Sequence, residues 1–129
     1  MSPSTKQVIY PGESAKPIGP YSPAIRFGHL VFTSGQIGLD PKTGKLVSGG
    51  VAAEAKQALE NVGTLLKAAG ISYENVVKTT LFLKDMADFA TVNEIYAQYF
   101  SQDPPARSTF QVAALPGSAL VEIETIAHL

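Results

Sequence analysis

The chain has 129 residues, a formal net charge of −1 and no cysteine. With 45% hydrophobic and 16% charged residues, it has the composition of one compact domain, which we expect to span residues 1–129. The near-neutral charge and the lack of a basic cluster argue against a nucleic-acid surface, and the lack of cysteine excludes disulfides and thiolate metal ligands. No apolar run approaches the ~20 residues of a membrane span, and the N-terminus lacks the apolar core of a secretory signal. We therefore expect no membrane association and a cytoplasmic protein.

The first half of the chain predicts three short strands and one long helix. Residues 1–23 are rich in proline and glycine and leave room only for a strand at residues 7–10. Ala24–Phe27 and residues 30–34 are apolar runs around Gly28-His29, which predicts a hairpin with a two-residue turn. Residues 36–50 are predicted to be loop. Apolar residues then recur every three or four positions over residues 52–69, which predicts an amphipathic helix that ends at Gly70.

The second half predicts a buried strand, a second helix and two final strands. Val76–Leu83 is β-branched and apolar, as expected of a central strand. Asp85 is the predicted N-cap of a helix whose aromatic face continues to Phe100. The two prolines that follow predict an extended entry into a strand at residues 107–113, and the last strand is predicted at residues 121–127.

The element order β-β-β-α-β-α-β-β predicts an α+β fold. Right-handed crossovers would place both helices on one face of a single mixed sheet. The other face is then covered by nothing in the chain, although its predicted residues are partly apolar. This pattern predicts self-association.

Arg107 is the most informative single residue, because an arginine in an apolar strand is costly to desolvate without an anion. No acidic residue occurs in the ten positions after it. Two hypotheses remain open for its partner. Arg107 could pair with a structural carboxylate such as Glu122 or Glu124, or its planar fork could bind the carboxylate of a ligand.

Few other residues are candidates for chemistry. Glu122 and Glu124 are two apart on a strand and therefore face the same side, where burial could raise a carboxyl pKa toward acid–base use. Tyr21, between Gly19-Pro20 and Ser22-Pro23, is either a rigidly presented phenol or a packing residue. His29 and His128 are the only histidines and lie far apart in the sequence, so we expect no metal site and no histidine base.

Several motifs resemble those of the RidA/YjgF family, in order and over essentially residues 7–127. They are IGPYS at 18–22, TSGQI at 33–37, NVVKTT at 75–80, DF and TVN within 88–93, PARS at 105–108 and VEIETIA at 121–127. The segments LVSGGV at 46–51 and AALP at 113–116 are most similar to the eukaryotic branch.

The resemblance implies a chorismate-mutase-like subunit in a homotrimer with a central barrel and clefts between subunits. It implies hydrolysis of reactive 2-imino and enamine acids (the 2-aminoacrylate and 2-iminobutyrate type) to 2-keto acids and ammonia, without a metal or organic cofactor. Its eukaryotic members occur in the cytosol and in mitochondria, so the mitochondrion is the second expected location.

The resemblance also implies roles for individual residues. Arg107 would hold the substrate carboxylate and Glu122 would orient or activate water. Tyr21, Gly35 and Asn93 match positions at or near the cleft. Thr109, where many members carry cysteine, would contact the amino or imino end through its backbone.

Two other classes of function stay open from the sequence. Relatives have been described as endoribonucleases and translation inhibitors, and a trimer that binds partners without catalysis is a third reading. The net charge of −1 and the absence of a basic patch weigh against the nuclease.

Overall fold

A single six-stranded sheet organises the chain. The computed structural model describes residues 5–12, 17 and 19–129, so Ile18 of the first family motif lies outside the described residues. The strands are β1 (Gln7–Ile9), β2 (Ala24–Phe27), β3 (Leu30–Thr33), β4 (Val76–Leu83), β5 (Ala106–Gln111) and β6 (Val121–His128). They lie in the order β1-β2-β3-β6-β4-β5. All neighbours are antiparallel except β4 and β5, so the sheet is mixed as predicted.

Both helices pack on one face of this sheet. α1 (Val51–Ala68) connects β3 to β4, and α2 (Phe89–Ala97) connects β4 to the parallel strand β5. One hydrophobic core joins the helices to alternate residues of the strands, which include Val31, Leu81, Leu83, Val121 and Ile123. The expected α+β fold with two helices on one face is confirmed. None of the described helices is long and apolar enough to cross a bilayer.

The second helix is shorter than the aromatic pattern predicted. Met86–Asp88 forms a separate 3₁₀ turn, and the side chain of Asp85 caps that turn by accepting a hydrogen bond from the Ala87 amide (2.9 Å). At the other end, the Tyr99 amide donates to the carbonyl of Tyr96 three residues back, so the chain tightens after Ala97. The aromatic face continues through this tight turn, which is why its periodicity overestimated the length of the helix.

A β-bulge interrupts the pairing of β3 with β6. Phe32 pairs with Ile126, and the next pair toward the loop is Gln36 with Ile123. Three residues of one strand therefore oppose two of the other, and the extra residue falls at Ser34-Gly35. Bulges re-aim the backbone and are frequent beside functional sites. Here the bulge brings Gly35 next to Glu122.

The face of the sheet away from the helices, which we call the open face, is rich in apolar side chains. Phe27, Leu30, Phe32 and Phe110 lie on it and are 37–53% exposed. Phe82 also lies there and stacks on Phe110 at a centroid separation of 6.4 Å. Within the described residues, no element of the chain packs across these side chains.

Candidate functional site

Arg107 lies on the helix side of edge strand β5, where side chains of α2 contact its guanidinium. Its Nη2 donates a hydrogen bond to Oδ1 of Asn93 (2.7 Å). The guanidinium carbon lies 4.8 Å from the ring centroid of Tyr96 and 5.4 Å from that of Phe89. Within the described part of the chain, this amide and these two rings are its partners. The guanidinium therefore keeps N–H donors available for an external anion.

Thr109 lies two residues beyond Arg107 on the same side of β5. Its side-chain hydroxyl is buried, and it has no hydrogen-bond partner among the described residues. A buried hydroxyl without a partner costs free energy, so native structures rarely keep one without a reason. Arg107, Asn93 and Thr109, three of the residues predicted from the sequence, thus form one polar group at the edge of the sheet.

Glu122 lies on the opposite face, beside the bulge. A Cβ added to Gly35 would approach Oε2 of Glu122 to 2.5 Å, so glycine is required for this close contact. Burial raises the pKa of the Glu122 carboxyl above its ordinary value, and the nearby charge of Glu124 raises it further. A partly desolvated carboxylate of this kind is a better base than an exposed one.

The carboxylate of Glu122 opens into a cavity of about 300 Å³. Tyr21 lies in its wall, in a loop tied to the bulge because the Ser34 hydroxyl donates to the carbonyl of Ser22 (2.6 Å). The remaining lining is largely apolar: Pro17, Pro23, Ile37, Leu39 and Pro116, with Ser34, Gly35 and Gln36. Tyr21, Gly35 and Glu122 therefore form a second group of predicted residues.

The two groups cannot meet within one copy of the chain. Arg107 pairs with Thr79 of β4, whose side chain is fully buried on the helix side. Glu122 alternates with Val121 and Ile123, which are buried on that same side, and so it faces away from the helices. The hypothesis that Arg107 pairs with Glu122 or Glu124 inside the chain is therefore wrong, because the sheet separates them. As predicted, the two glutamates share one face.

Three contributors to these groups were not recognised in the sequence. Phe89 and Tyr96 belong to the aromatic face predicted for the second helix, and their rings also contact the guanidinium of Arg107. Asn61 was missed altogether, although its Nδ2 donates to the carbonyls of Ile37 (3.1 Å) and Leu39 (2.9 Å) in the cavity wall. A polar residue within the apolar stripe of α1 was the available signal.

The fold and the two groups of residues define a class of protein. It is a small α+β protein that has a polar site around Arg107 at the edge of its sheet and a cavity around the Glu122 carboxylate on the other face. Among the described residues, no group of three or more histidines and carboxylates could hold a metal ion.

Comparison with known proteins narrows this class to a family. The family profile described as Endoribonuclease L-PSP matches residues 12–129. The chain is 55% identical over 127 residues to a human 2-iminobutanoate/2-iminopropanoate deaminase, covering 98% of this chain and 93% of the relative. It is 55% identical over 124 residues to the chloroplastic Reactive Intermediate Deaminase A of Arabidopsis thaliana, covering 96% of this chain and 66% of that protein.

Solved structures agree with the sequence relatives. The structure of E. coli TdcF with bound serine has a TM-score of 0.91 at 41% identity, covering 95% of this chain and 98% of that one. The E. coli YjgF structure has a TM-score of 0.90 at 43% identity, with 95% and 98% covered. The chain belongs to the RidA/YjgF family.

Proposed function

We infer that this protein is an enzyme that hydrolyses reactive 2-imino acids to 2-keto acids and ammonia. Four mammalian relatives that are 52–55% identical over 127 residues are named 2-iminobutanoate/2-iminopropanoate deaminase. The observation that carries the chemistry is the cavity carboxyl of Glu122, whose raised pKa suits it to proton transfer.

Arg107 holds the carboxylate of the substrate in this proposal. Within the described residues its guanidinium is not neutralised by a carboxylate, and a planar fork binds a carboxylate through two parallel hydrogen bonds. The orphan hydroxyl of Thr109 and its backbone lie beside that position and are available to the substrate's polar atoms. Fixing the carboxylate leaves the imine carbon exposed to attack.

Glu122 supplies the proton transfers. The substrate reacts as its protonated iminium, and the Glu122 carboxylate takes a proton from water as the water oxygen bonds to the iminium carbon and the C=N π electrons move to nitrogen. The Glu122 carboxyl then protonates the nitrogen of the resulting carbinolamine. The carboxylate that this step restores takes the hydroxyl proton as the C–N bond breaks, the C=O bond forms and ammonia leaves. One carboxyl can perform both transfers, because the proton that it takes from water is the proton that it gives to the nitrogen.

The site is proposed to be shared between copies of the chain, since Arg107 and Glu122 lie on opposite faces of one sheet. The family resemblance implies a homotrimer, and a cyclic trimer repeats one heterologous contact three times. Each site would then take Arg107 and Asn93 from one copy and Tyr21, Gly35 and Glu122 from the next.

Subunit mixing tests both the chemistry and the shared site. Arg107→Ala and Glu122→Gln are each expected to lose at least about 100-fold in kcat/KM when keto-acid release is coupled to a threonine dehydratase. The two variants carry different tags, are co-expressed, and mixed trimers are purified through both tags. Every mixed trimer contains one intact site, so about one third of wild-type activity should return.

The controls separate the outcomes. Each variant alone, put through the same two-tag scheme, stays inactive. Mixed trimers as inactive as their parents would contradict the shared site, because a site built within one copy is never repaired by mixing. RNA cleavage by a highly purified sample that survives Arg107→Ala, with no imine hydrolysis by the wild type, would favour a nuclease instead.

A further inference from the structure

Three residues of α2 contact the guanidinium of Arg107 from one face of the helix. Phe89, Asn93 and Tyr96 are spaced four and three residues apart, so they lie along a single stripe. Asn93 supplies an oxygen acceptor and the two aromatic residues supply ring faces. Tyr96 is the most buried of the three, since it is only 6% exposed, whereas Phe89 is 36% exposed and Asn93 is half-buried.

The ring of Tyr96 is anchored to the strand that neighbours Arg107. Its hydroxyl and that of Thr79 form a buried hydrogen bond of 2.8 Å. Thr79 is fully buried in β4 and is the pairing partner of Arg107 on β5. The strand pair that fixes the backbone of Arg107 therefore also fixes the ring against its side chain.

Packing alone does not require this pair of hydroxyls. Leu81 and Leu83 occupy the next positions on the same face of β4, and valine would fill the place of Thr79 with no polar group to bury. Tyr96 already packs on Phe100 at a centroid separation of 4.6 Å, a contact that phenylalanine would also make. The hydrogen bond instead restricts the tilt and depth of the ring beneath the guanidinium.

We propose that Tyr96, anchored by Thr79, is a positioning residue that holds the guanidinium of Arg107 ready for the substrate carboxylate. This rests on the proposed role of Arg107 in substrate binding. A flexible arginine loses side-chain freedom when it binds, and a guanidinium already stacked and hydrogen-bonded loses less. Because less side-chain freedom is lost, the positioned guanidinium binds the substrate carboxylate more tightly.

The test compares variants that remove the anchor with one that keeps it. Tyr96→Phe and Thr79→Val remove the hydrogen bond, Thr79→Ser keeps a hydroxyl, and Tyr96→Leu removes the ring. We expect KM for the imino acid and the Kd for 2-oxobutyrate, measured by NMR titration, to rise about 3-fold in the first two and about 10-fold in Tyr96→Leu. Thr79→Ser should match the wild type, and kcat should stay within about twofold in Tyr96→Phe.

Two readouts distinguish positioning from a merely structural role. The ¹⁵Nε–H resonance of Arg107 should report greater mobility in Tyr96→Phe than in the wild type. The double variant Thr79→Val/Tyr96→Phe should bind 2-oxobutyrate no more weakly than either single variant, since all three lack the same hydrogen bond. A lower Tm with wild-type Kd and wild-type mobility in Tyr96→Phe would overturn the proposal.

Arg107→Ala shows which inference fails. If it binds 2-oxobutyrate as tightly as the wild type does, the proposed role of Arg107 is wrong. If it loses binding while Tyr96→Phe and Thr79→Val, still folded by circular dichroism, do not, only the positioning role is wrong.

Discussion

Arg107 and Glu122 meet opposite electrostatic surroundings. The guanidinium is stacked and hydrogen-bonded by neutral groups, so it keeps its charge available for an anion. The Glu122 carboxyl is partly desolvated beside a second carboxylate, so its ionised form is disfavoured. The first arrangement suits binding and the second suits proton transfer.

The raised pKa of Glu122 predicts how activity responds to acid. A base must be ionised, so kcat/KM should fall as pH decreases through this pKa. Glu124 is the second cause of the shift, and Glu124→Gln should therefore lower the pKa and move the fall to more acidic pH. The measurement is kcat/KM from pH 4 to 8, expressed relative to the exposed-site control Glu74→Gln in the same buffers. An unchanged acid limb in Glu124→Gln would contradict this coupling.

The raised pKa of Glu122 also makes the stability of the fold depend on pH. A carboxyl whose pKa is higher in the folded state binds its proton more tightly there, so it stabilises the fold below its unfolded pKa. That contribution is lost as pH rises through the folded pKa. Glu122→Gln should therefore have a higher Tm than the wild type at pH 7, with the difference shrinking on acidification.

At the level of elements, buried polar side chains of α1 hydrogen-bond to the wall of the cavity and to the segment that enters β6. Asn61 donates to two carbonyls of the loop after β3, and Glu54 accepts from the amide of Leu120 (2.8 Å) just before β6. Both residues are at most 9% exposed. Helix periodicity located α1 correctly, but it treats polar residues as solvent-facing. The partners of Asn61 and Glu54 are distant in sequence, so only the folded arrangement shows why they are buried.

Asn61→Leu should loosen this wall. It removes the two hydrogen bonds that Nδ2 donates and the one that Oδ1 accepts from Gln57, and it leaves the carbonyl of Leu39 without its donor, a loss of about 2–3 kcal/mol in the free energy of unfolding. The carbonyl of Ile37 still accepts from the amide of Leu39. KM should rise because both residues line the cavity. Urea denaturation at fixed protein concentration measures the first effect, with Lys56→Leu, exposed on the same helix, as control. Equal stability of the two variants would show that the loop does not depend on Asn61.

On the scale of the whole molecule, both the open face and the separation of Arg107 from Glu122 favour association between copies of the chain. Large apolar side chains remain exposed on one side of the sheet, and each copy presents two separate parts of the proposed site. Association that buries the open face would remove apolar surface from water and bring copies together.

Phe32→Lys should disrupt this association. Phe32 is 37% exposed on the open face, on a strand next to β6 but away from Glu122 along it, so a lysine there would place a charge in the buried contact. We expect light scattering after gel filtration to show the mass of one copy, with imine hydrolysis reduced at least about 10-fold. Ala68→Lys, which adds the same charge on the exposed end of α1, should keep the wild-type mass and activity. A fully active single-copy Phe32→Lys would contradict the shared site.

The sequence by itself determined the order of elements, the hairpin at Gly28-His29, the common face of Glu122 and Glu124, and the family. These follow from local properties: side-chain periodicity, turn residues and short motifs. The tertiary structure decided which residues can act together. Strand order and pairing register place Arg107 and Glu122 on opposite faces and set Tyr96 against Arg107, and both are fixed by contacts between residues far apart in the chain.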